Sequence, residues 1–396
     1  METRTTTIRT TITGFGQSAD HSDVDLTVDE LLCAYYDCRR NKRNTINALK
    51  FEANLERNIM ALYRELMDGT YRPGVSICFV VTRPKPREVW AADFRDRVVH
   101  HLLYNRIADR FYRSFITDTC ACIPGRGTLY GATRLEHKIR SITHNWSRRA
   151  FYLKLDLANF FVSINKHILR DLLAKKIEEP WVMHLAETIL FHDPRENVRI
   201  KGSSGLLSLI PPYKSLFNQP DHLGLPIGNL SSQFFANVYL NPVDQYIKHQ
   251  IRAHHYVRYV DDMVLLHESP EWLSQAARQI GEFVSSRLDM SLNPRKTIIQ
   301  PIDRGVDFVG QVIKPWRRVL RRTTLENAMN QLNVKRGEDF FRSTNSYLGL
   351  LRQSEHSHIA RAHLARLAMR HGHCVDGKFR KVFRRSGHPT YLNYGG

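Results

Sequence analysis

Apolar residues recur along much of the chain with the spacing of one helix face. In residues 29–68 they stand three and four positions apart, which is typical of helices that bury one side. Similar stretches follow at intervals as far as the last quarter of the chain. The sequence predicts helices within 29–68, 93–117, 131–142, 165–177, 180–191, 231–251, 270–288, 323–334, 338–353 and 358–371.

Shorter apolar runs, rich in Val, Ile, Phe and Tyr and bounded by Gly, Pro or charged residues, predict strands. They lie within 76–82, 151–157, 255–266, 291–301 and 305–315, and the third of them reads as a hairpin. The segment from 193 to 223 contains Gly, Ser and Pro and is predicted to be mostly loop. Strands and helices in this order indicate an α+β fold around an antiparallel sheet.

The charge of the chain narrows the choice of partners. The formal net charge of the 396 residues is +19, and the 83 residues from Lys314 onward hold 17 Lys and Arg against 5 Asp and Glu, a balance of +12. A basic module of this kind favours nucleic acid as the partner. No long apolar stretch or secretory leader is evident, so we expect a cytoplasmic protein with reduced thiols that does not enter membranes.

Two adjacent carboxylates interrupt an apolar hairpin in the segment RYVDDMVLL. They are Asp261 and Asp262, and a third acid, Asp156, ends the apolar strand FYLKL. Buried carboxylates need a cation, and Mg²⁺ prefers carboxylates together with phosphate oxygens. Two such ions can activate a hydroxyl and stabilise a leaving pyrophosphate. On its own, the Asp pair would also fit a polar turn.

Seven motifs in order make the chain resemble a reverse transcriptase from about residue 70 to 315. The motifs are RPKPREVWAADFRDRVVHHLL, CIPGRGT, FYLKLDLANFF, GLPIGNLSSQFFANVYLN, RYVDDMVLL, LNPRKT and GVDFVGQVI. The resemblance implies a right-hand polymerase whose palm is an antiparallel sheet with helices and whose thumb is helical and basic. We expect a flexible N-terminal arm, fingers, a palm and a thumb with C-terminal basic helices over 1–28, 29–145, 146–313 and 314–396.

The resemblance also implies the catalytic residues. Asp156 and Asp261 are expected to bind two Mg²⁺ ions, with Mn²⁺ as a substitute, and Asp262 is the third carboxylate. The backbone carbonyl of Leu157 would complete one metal shell. Lys296 matches a palm lysine that can protonate pyrophosphate, although a strand-end surface lysine is the alternative.

Further residues match positions that handle the incoming nucleotide. Lys85 and Arg87 flank a turn suited to holding a triphosphate. A ring at Phe161, or its neighbour Phe160, would collide with a ribose 2′-hydroxyl, and strand alternation would send one of the two rings into the core. The other matched positions are Ile227, Gly228 and Gln233.

Primer and template contacts are implied at four positions. Phe308, Val309 and Gly310 resemble a primer grip, and Arg126 would touch template phosphate.

Gly228 is expected to let the backbone approach the nucleotide closely. Ile227 stands where most of the family has glutamine, and it lacks that residue's donor and acceptor. We expect relaxed base discrimination or an unusual template preference.

The IGxxxSQ pattern at 227–233 resembles the branch of diversity-generating retroelement and defence-associated bacterial and phage enzymes. This implies an RNA template, a dedicated noncoding RNA, together with a DNA primer or product and dNTPs, and an accessory protein or self-association as a further option. The setting is antiphage defence or a retroelement. Template-independent or protein-primed synthesis remains open, and so does an idle polymerase-like scaffold that binds RNA.

Overall fold

The computed structural model describes residues 24–40, 45–82, 85–354 and 357–384. Most of the predicted N-terminal arm, residues 1–23, and the last twelve residues of the predicted thumb lie outside the described residues. The described helices, in chain order, are α1 (Val28–Arg39), α2 (Ile46–Glu52), α3 (Leu55–Met67), α4 (Phe94–Tyr112), α5 (Thr128–Ile142), α6 (Phe160–Ser163), α7 (Lys166–Ala174), α8 (Pro180–Phe191), α9 (Leu230–Gln245), α10 (Pro270–Leu288), α11 (Arg322–Val334), α12 (Gly337–Leu351) and α13 (His358–Arg370).

The strands confirm the α+β prediction. In chain order they are β1 (Ser76–Val81), β2 (Arg87–Ala91), β3 (Phe151–Leu155), β4 (Val198–Lys201), β5 (Tyr256–Tyr259), β6 (Asp262–His267), β7 (Ile298–Pro301), β8 (Val306–Phe308), β9 (Gln311–Lys314), β10 (Arg317–Leu320), β11 (Cys374–Val375) and β12 (Val382–Phe383).

The central sheet has the strand order β5-β6-β3-β7, and all its pairs are antiparallel. Its strands alternate between two buried faces. Leu153, Leu155 and Met263 point into the larger core with α9 and α10, while Tyr152 and Val264 belong to a second cluster beneath α5. Burial on both faces explains why the β6 sequence is an almost unbroken apolar run.

A second sheet, with the order β2-β1-β4, holds the segment that the sequence predicted to be mostly loop. Within 193–223, β4 pairs in parallel with β1, and three short 3₁₀ turns follow it. The buried Glu88 carboxylate of β2 accepts the backbone N–H of Leu216 at 2.9 Å, and the Trp90 ring packs 4.8 Å from that of Phe217. These contacts bind the segment to the β1–β2 hairpin.

The C-terminal helices α11, α12 and α13 enclose a separate small core. The predicted run of basic helix stops earlier than expected, because β11 and β12 form a short antiparallel hairpin after α13. The His371 ring stacks on Phe340 at 4.0 Å. None of the helices in the described ranges combines the length and the apolar content that a bilayer span requires.

Candidate active site

Asp156 lies directly after β3, at the end of the central sheet. Leu155 pairs with Met263 in the antiparallel register, so Asp156 comes next to the start of β6. The side chain of Asp156 is largely buried, and its backbone carbonyl accepts the N–H of Asn293 at 2.8 Å. Leu157 is buried and bridges to Leu292. The strand end is therefore fixed on both sides.

Asp261 lies in the turn between β5 and β6, and Asp262 is the first residue of β6. Val260, which precedes them, has a φ of 54°, a left-handed conformation that a β-branched residue rarely adopts. The Val260 carbonyl accepts a hydrogen bond from the Arg258 guanidinium at 2.9 Å. The strained turn directs both carboxylates toward the end of β3, and strain of this kind is typical of functional sites.

The strand register brings Asp156 close to the start of β6, and its charge contributes to the pKa of both Asp261 and Asp262. Burial, followed by the charge of Asp156, raises the pKa of Asp261. Burial raises the pKa of Asp262 to about 6, although Lys154 opposes that change. The site is therefore rich in buried negative charge that lacks full compensation.

These residues fit a hard divalent cation. One oxygen of Asp262, Oδ1, is buried without a hydrogen-bond partner within the described part of the chain, and carboxylate oxygens are the donors that Mg²⁺ and Mn²⁺ prefer. Across the described ranges, no three Asp, Glu, His or Cys side chains are gathered closely enough to hold an ion as they stand. Lys296 and Lys154 instead pair with the carboxylates.

Lys296 lies in a short 3₁₀ turn, Pro294–Lys296, that leads into β7. Its Nζ is 2.8 Å from both carboxylate oxygens of Asp156, and about half of its side chain is exposed. Lys296 thus contacts Asp156, and its proton-donating role stays a prediction.

Lys154 is the residue that sequence reasoning missed. Its Nζ is 3.1 Å from Oδ2 of Asp262. The signal was present, because residues two apart in a strand share a face and Lys154 precedes Asp156 by two positions. A charged residue inside the apolar run FYLKL therefore had to point toward the carboxylates.

The β1–β2 hairpin carries the two predicted triphosphate-binding cations. Lys85 and Arg87 are exposed at the start of β2. Arg87 is close enough to the carboxylates for its charge to lower the pKa of Asp261. Their contact with a nucleotide stays a prediction.

The two rings after Asp156 differ in environment. Phe160 is 3% exposed, whereas Phe161 is only partly buried and packs at the edge of the core. The expectation that strand alternation separates them was wrong, because both belong to the short helix α6, which follows the left-handed Asn159. Successive helix positions also diverge, by about 100°, so Phe161 remains the ring available for a nucleotide.

The structure gives a reason for glycine at position 228 that differs from the predicted approach to a nucleotide. Its φ is 132°, and a Cβ there would come within 2.8 Å of the Trp90 carbonyl oxygen on β2. The close approach is therefore to the neighbouring hairpin. The Ile227 carbonyl accepts the Trp90 N–H at 2.7 Å, so residues 227–228 attach the segment before α9 to β2.

At the start of α9, Gln233 is exposed while Ser231 and Ser232 are buried. The Ser231 hydroxyl lies 2.7 Å from Nδ1 of the buried His100, so it is engaged inside the protein. The amide oxygen of Gln233 is 3.6 Å from the Cys122 thiol. Of these three residues, Gln233 is thus the one that is exposed to solvent.

Arg126 is occupied within its own loop. Its Nη1 donates to the carbonyls of Ile116 and Thr119, both at 2.8 Å. Template contact by Arg126 stays a prediction, and its observed contacts hold the CIPGRGT loop together.

The predicted primer grip is the turn between β8 and β9. Phe308 is fully buried, and both Val309 and Gly310 have left-handed backbones, with φ of 46° and 85°. The buried ring fixes the base of the hairpin, and Val309 and Gly310 in the turn are partly exposed. Its action on a primer stays a prediction.

A family model described as reverse transcriptase (RNA-dependent DNA polymerase) matches residues 68–313, which include both carboxylate segments. The chain belongs to the reverse transcriptase family. No curated protein matches this chain.

Among solved structures, a telomerase from Candida albicans, determined in complex with a TWJ fragment of telomeric RNA, is similar to this chain at 11% identity. The alignment covers 74% of this chain and 56% of that chain, with a TM-score of 0.45. The chain thus spans little more than half of the telomerase it matches.

Proposed function

We propose that this protein is an RNA-directed DNA polymerase that adds dNTPs to a 3′-hydroxyl. The observation that carries the proposal is the register that sets Asp156, at the end of β3, beside the start of β6, where Asp261 and Asp262 lie, inside a chain of the reverse transcriptase family. Buried, mutually repelling carboxylates destabilise a fold unless a cation compensates them, so their presence favours a catalytic role.

Asp156, Asp261 and the carbonyl of Leu157 would hold two Mg²⁺ ions, with Asp262 in support. When bound, the ions activate the 3′-hydroxyl and neutralise charge on the departing pyrophosphate. Lys296 lies within hydrogen-bond distance of Asp156, so it can donate a proton to the leaving group beside that carboxylate.

Residues around the carboxylates would select and orient the nucleotide. Lys85 and Arg87 would bind the triphosphate, Arg87 through two parallel hydrogen bonds. The Phe161 ring would exclude a ribose 2′-hydroxyl. Gln233 and the Ile227–Gly228 segment would line the nucleotide on its other side.

The remaining surfaces would bind the nucleic acids. The Phe308–Gly310 turn would press on the primer, and the basic helices after Lys314 would bind duplex phosphates, since their balance of charge is +12. We propose fingers over 29–145, a palm over 146–313 and a thumb over 314–396 on this basis, preceded by a flexible arm over 1–28.

The template is proposed to be a dedicated noncoding RNA, and the setting antiphage defence or a diversity-generating retroelement in bacteria or phage. Support comes from the IGxxxSQ pattern at 227–233 and from the high net charge of +19. A cytoplasmic location and an accessory protein belong to the same proposal.

Primer extension on an RNA template with Mg²⁺ and dNTPs tests the proposal. We expect the wild type to extend the primer and the Asp261→Ala, Asp262→Ala double variant to be inactive while still binding RNA. Incorporation without a template would instead support template-independent synthesis, and RNA binding without incorporation would support a scaffold. Sequencing the RNA and DNA that copurify with the protein identifies the template.

A further inference from the structure

A lysine inside the central sheet lies between the carboxylates and the predicted primer grip. Lys154 is on β3, where its neighbours across the sheet are Val264 on β6 and Ile298 on β7. Its side chain is 18% exposed. A lysine is rarely buried to this extent without specific partners.

The ammonium group of Lys154 has partners on two other elements. Its Nζ is 3.1 Å from Oδ2 of Asp262, at the start of β6, and 2.8 Å from the backbone carbonyl oxygen of Asp307, on β8. One ammonium group therefore joins β3, the carboxylate turn and the strand that leads into the Phe308–Gly310 turn.

The position of Asp307 makes this link relevant to the primer. It immediately precedes Phe308, and its own carboxylate binds the Arg321 guanidinium at 2.5 Å. Arg321 in turn donates its backbone N–H to the Gly310 carbonyl at 3.2 Å. The β8–β9 turn is thus fixed by Lys154 at one side and by the start of the basic helices at the other.

Stability alone is a weak reason for such a pair. Replacing a buried ion pair with apolar residues of similar volume is often neutral or stabilising, because the charges lose their hydration. If Lys154 contributed only to the stability of the fold, an apolar residue would therefore serve at least as well at this position. A lysine with two partners on separate elements does fix their relative position, and position governs the rate of a reaction between two bound groups.

We propose that Lys154 is a positioning residue that holds the primer-grip turn in register with the carboxylates. The inference rests on the proposed function, since it assigns to Lys154 the alignment of the primer 3′ end with Asp156 and Asp261. It acts through Asp262 and through the Asp307 backbone, without touching the nucleotide.

The test compares Lys154→Met, Lys154→Arg and a control, Lys175→Met, at an exposed lysine after α7. The rate of primer extension is measured under single-turnover conditions. The concentration of active enzyme is determined from the burst amplitude in a separate experiment with substrate in excess. We expect Lys154→Met to slow extension about tenfold with the KM for dNTP changed less than about twofold, because alignment affects the chemical step rather than nucleotide binding. Lys154→Arg should restore most of the rate, and Lys175→Met should match the wild type.

A second comparison uses the Asp262→Asn background. If Lys154 acts through Asp262, adding Lys154→Met there should change the rate by less than about twofold, since contacting residues are not additive. A full tenfold effect in that background overturns the inference, as does wild-type extension by Lys154→Met. A loss explained entirely by the unfolded fraction in a thermal melt also overturns it. If the wild type does not extend a primer, the proposed function fails first.

Discussion

The β5–β6 hairpin carries two buried charged groups a few residues apart, and they differ in how fully they are satisfied. The Arg258 guanidinium is fully buried and binds both oxygens of Asp244, at 2.8 and 2.6 Å, as well as Asn237 and the Val260 carbonyl. Asp262 is also largely enclosed, yet its Oδ1 has no partner within the described residues. Full satisfaction marks a structural group, whereas a carboxylate that keeps one buried oxygen without a partner, while Lys154 pairs with the other, fits a binding site.

The largest expected effect on activity comes from Asp261, which adjoins the incompletely hydrogen-bonded Asp262. Asp261→Asn should slow primer extension by at least about a hundredfold, because it removes a charge that the proposed ions require. Its midpoint of thermal unfolding should hold or rise, since the substitution relieves repulsion from Asp156. Extension kinetics and calorimetry measure the two effects, and the exposed Asp303→Asn serves as the control. A loss of both activity and stability would place Asp261 with the structural charges.

Substitution of the fully hydrogen-bonded Arg258 should instead lower the stability of the fold. Arg258→Met leaves Asp244 buried beside Tyr256 and Thr119 without its cation. We expect the free energy of unfolding to fall by about 3–5 kcal/mol, as measured by chemical denaturation. The exposed Arg304→Met should change it by less than about 0.5 kcal/mol. A small effect of Arg258→Met would mean that this hydrogen-bond network contributes little to the stability of the protein.

The two phenylalanines of α6 extend the same contrast to uncharged groups. Phe161→Ala should reduce the preference for dNTP over NTP about tenfold, because the cleft loses the ring that meets a 2′-hydroxyl. Phe160→Ala should lower stability by about 3–5 kcal/mol and leave that preference unchanged. Competitive incorporation assays measure the preference. An unaltered preference in Phe161→Ala excludes it as the steric gate.

The smallest effect is expected at Ile227. Ile227→Gln adds a donor and an acceptor where the side chain has neither, so we expect misincorporation to change about two- to fivefold. Its backbone bond to Trp90 is retained, so stability should hold. Sequencing of extension products measures the change, and an identical error spectrum would exclude a role of this side chain in base discrimination.

The carboxylates and the helices could be predicted from the sequence because the signals are local. Asp156 ends an apolar strand, Asp261 and Asp262 interrupt a hairpin, and α4, α9 and α10 show regular apolar spacing. Periodicity and composition determine such features over a few residues.

Features that depend on distant segments could not be predicted in the same way. β4 forms only because β1 offers an edge more than a hundred residues earlier in the chain. The reason for Gly228 is the Trp90 carbonyl on β2, more than a hundred residues earlier in the chain. Lys154 had a local signal in the strand alternation, but its link to Asp307 depends on a strand about 150 positions later.

The proposed function requires that Asp156, Asp261 and Asp262 bind divalent cations at the end of the central sheet, although Lys296 and Lys154 pair with two of them. Mn²⁺ binding to the full chain, with primer–template and a non-reactive dNTP analogue present, can be followed by electron paramagnetic resonance of the free ion. The account predicts uptake by the wild type and its loss in the Asp156→Asn, Asp261→Asn double variant, with cooperative unfolding retained. Equal uptake by the two proteins, or none by the wild type, would contradict it.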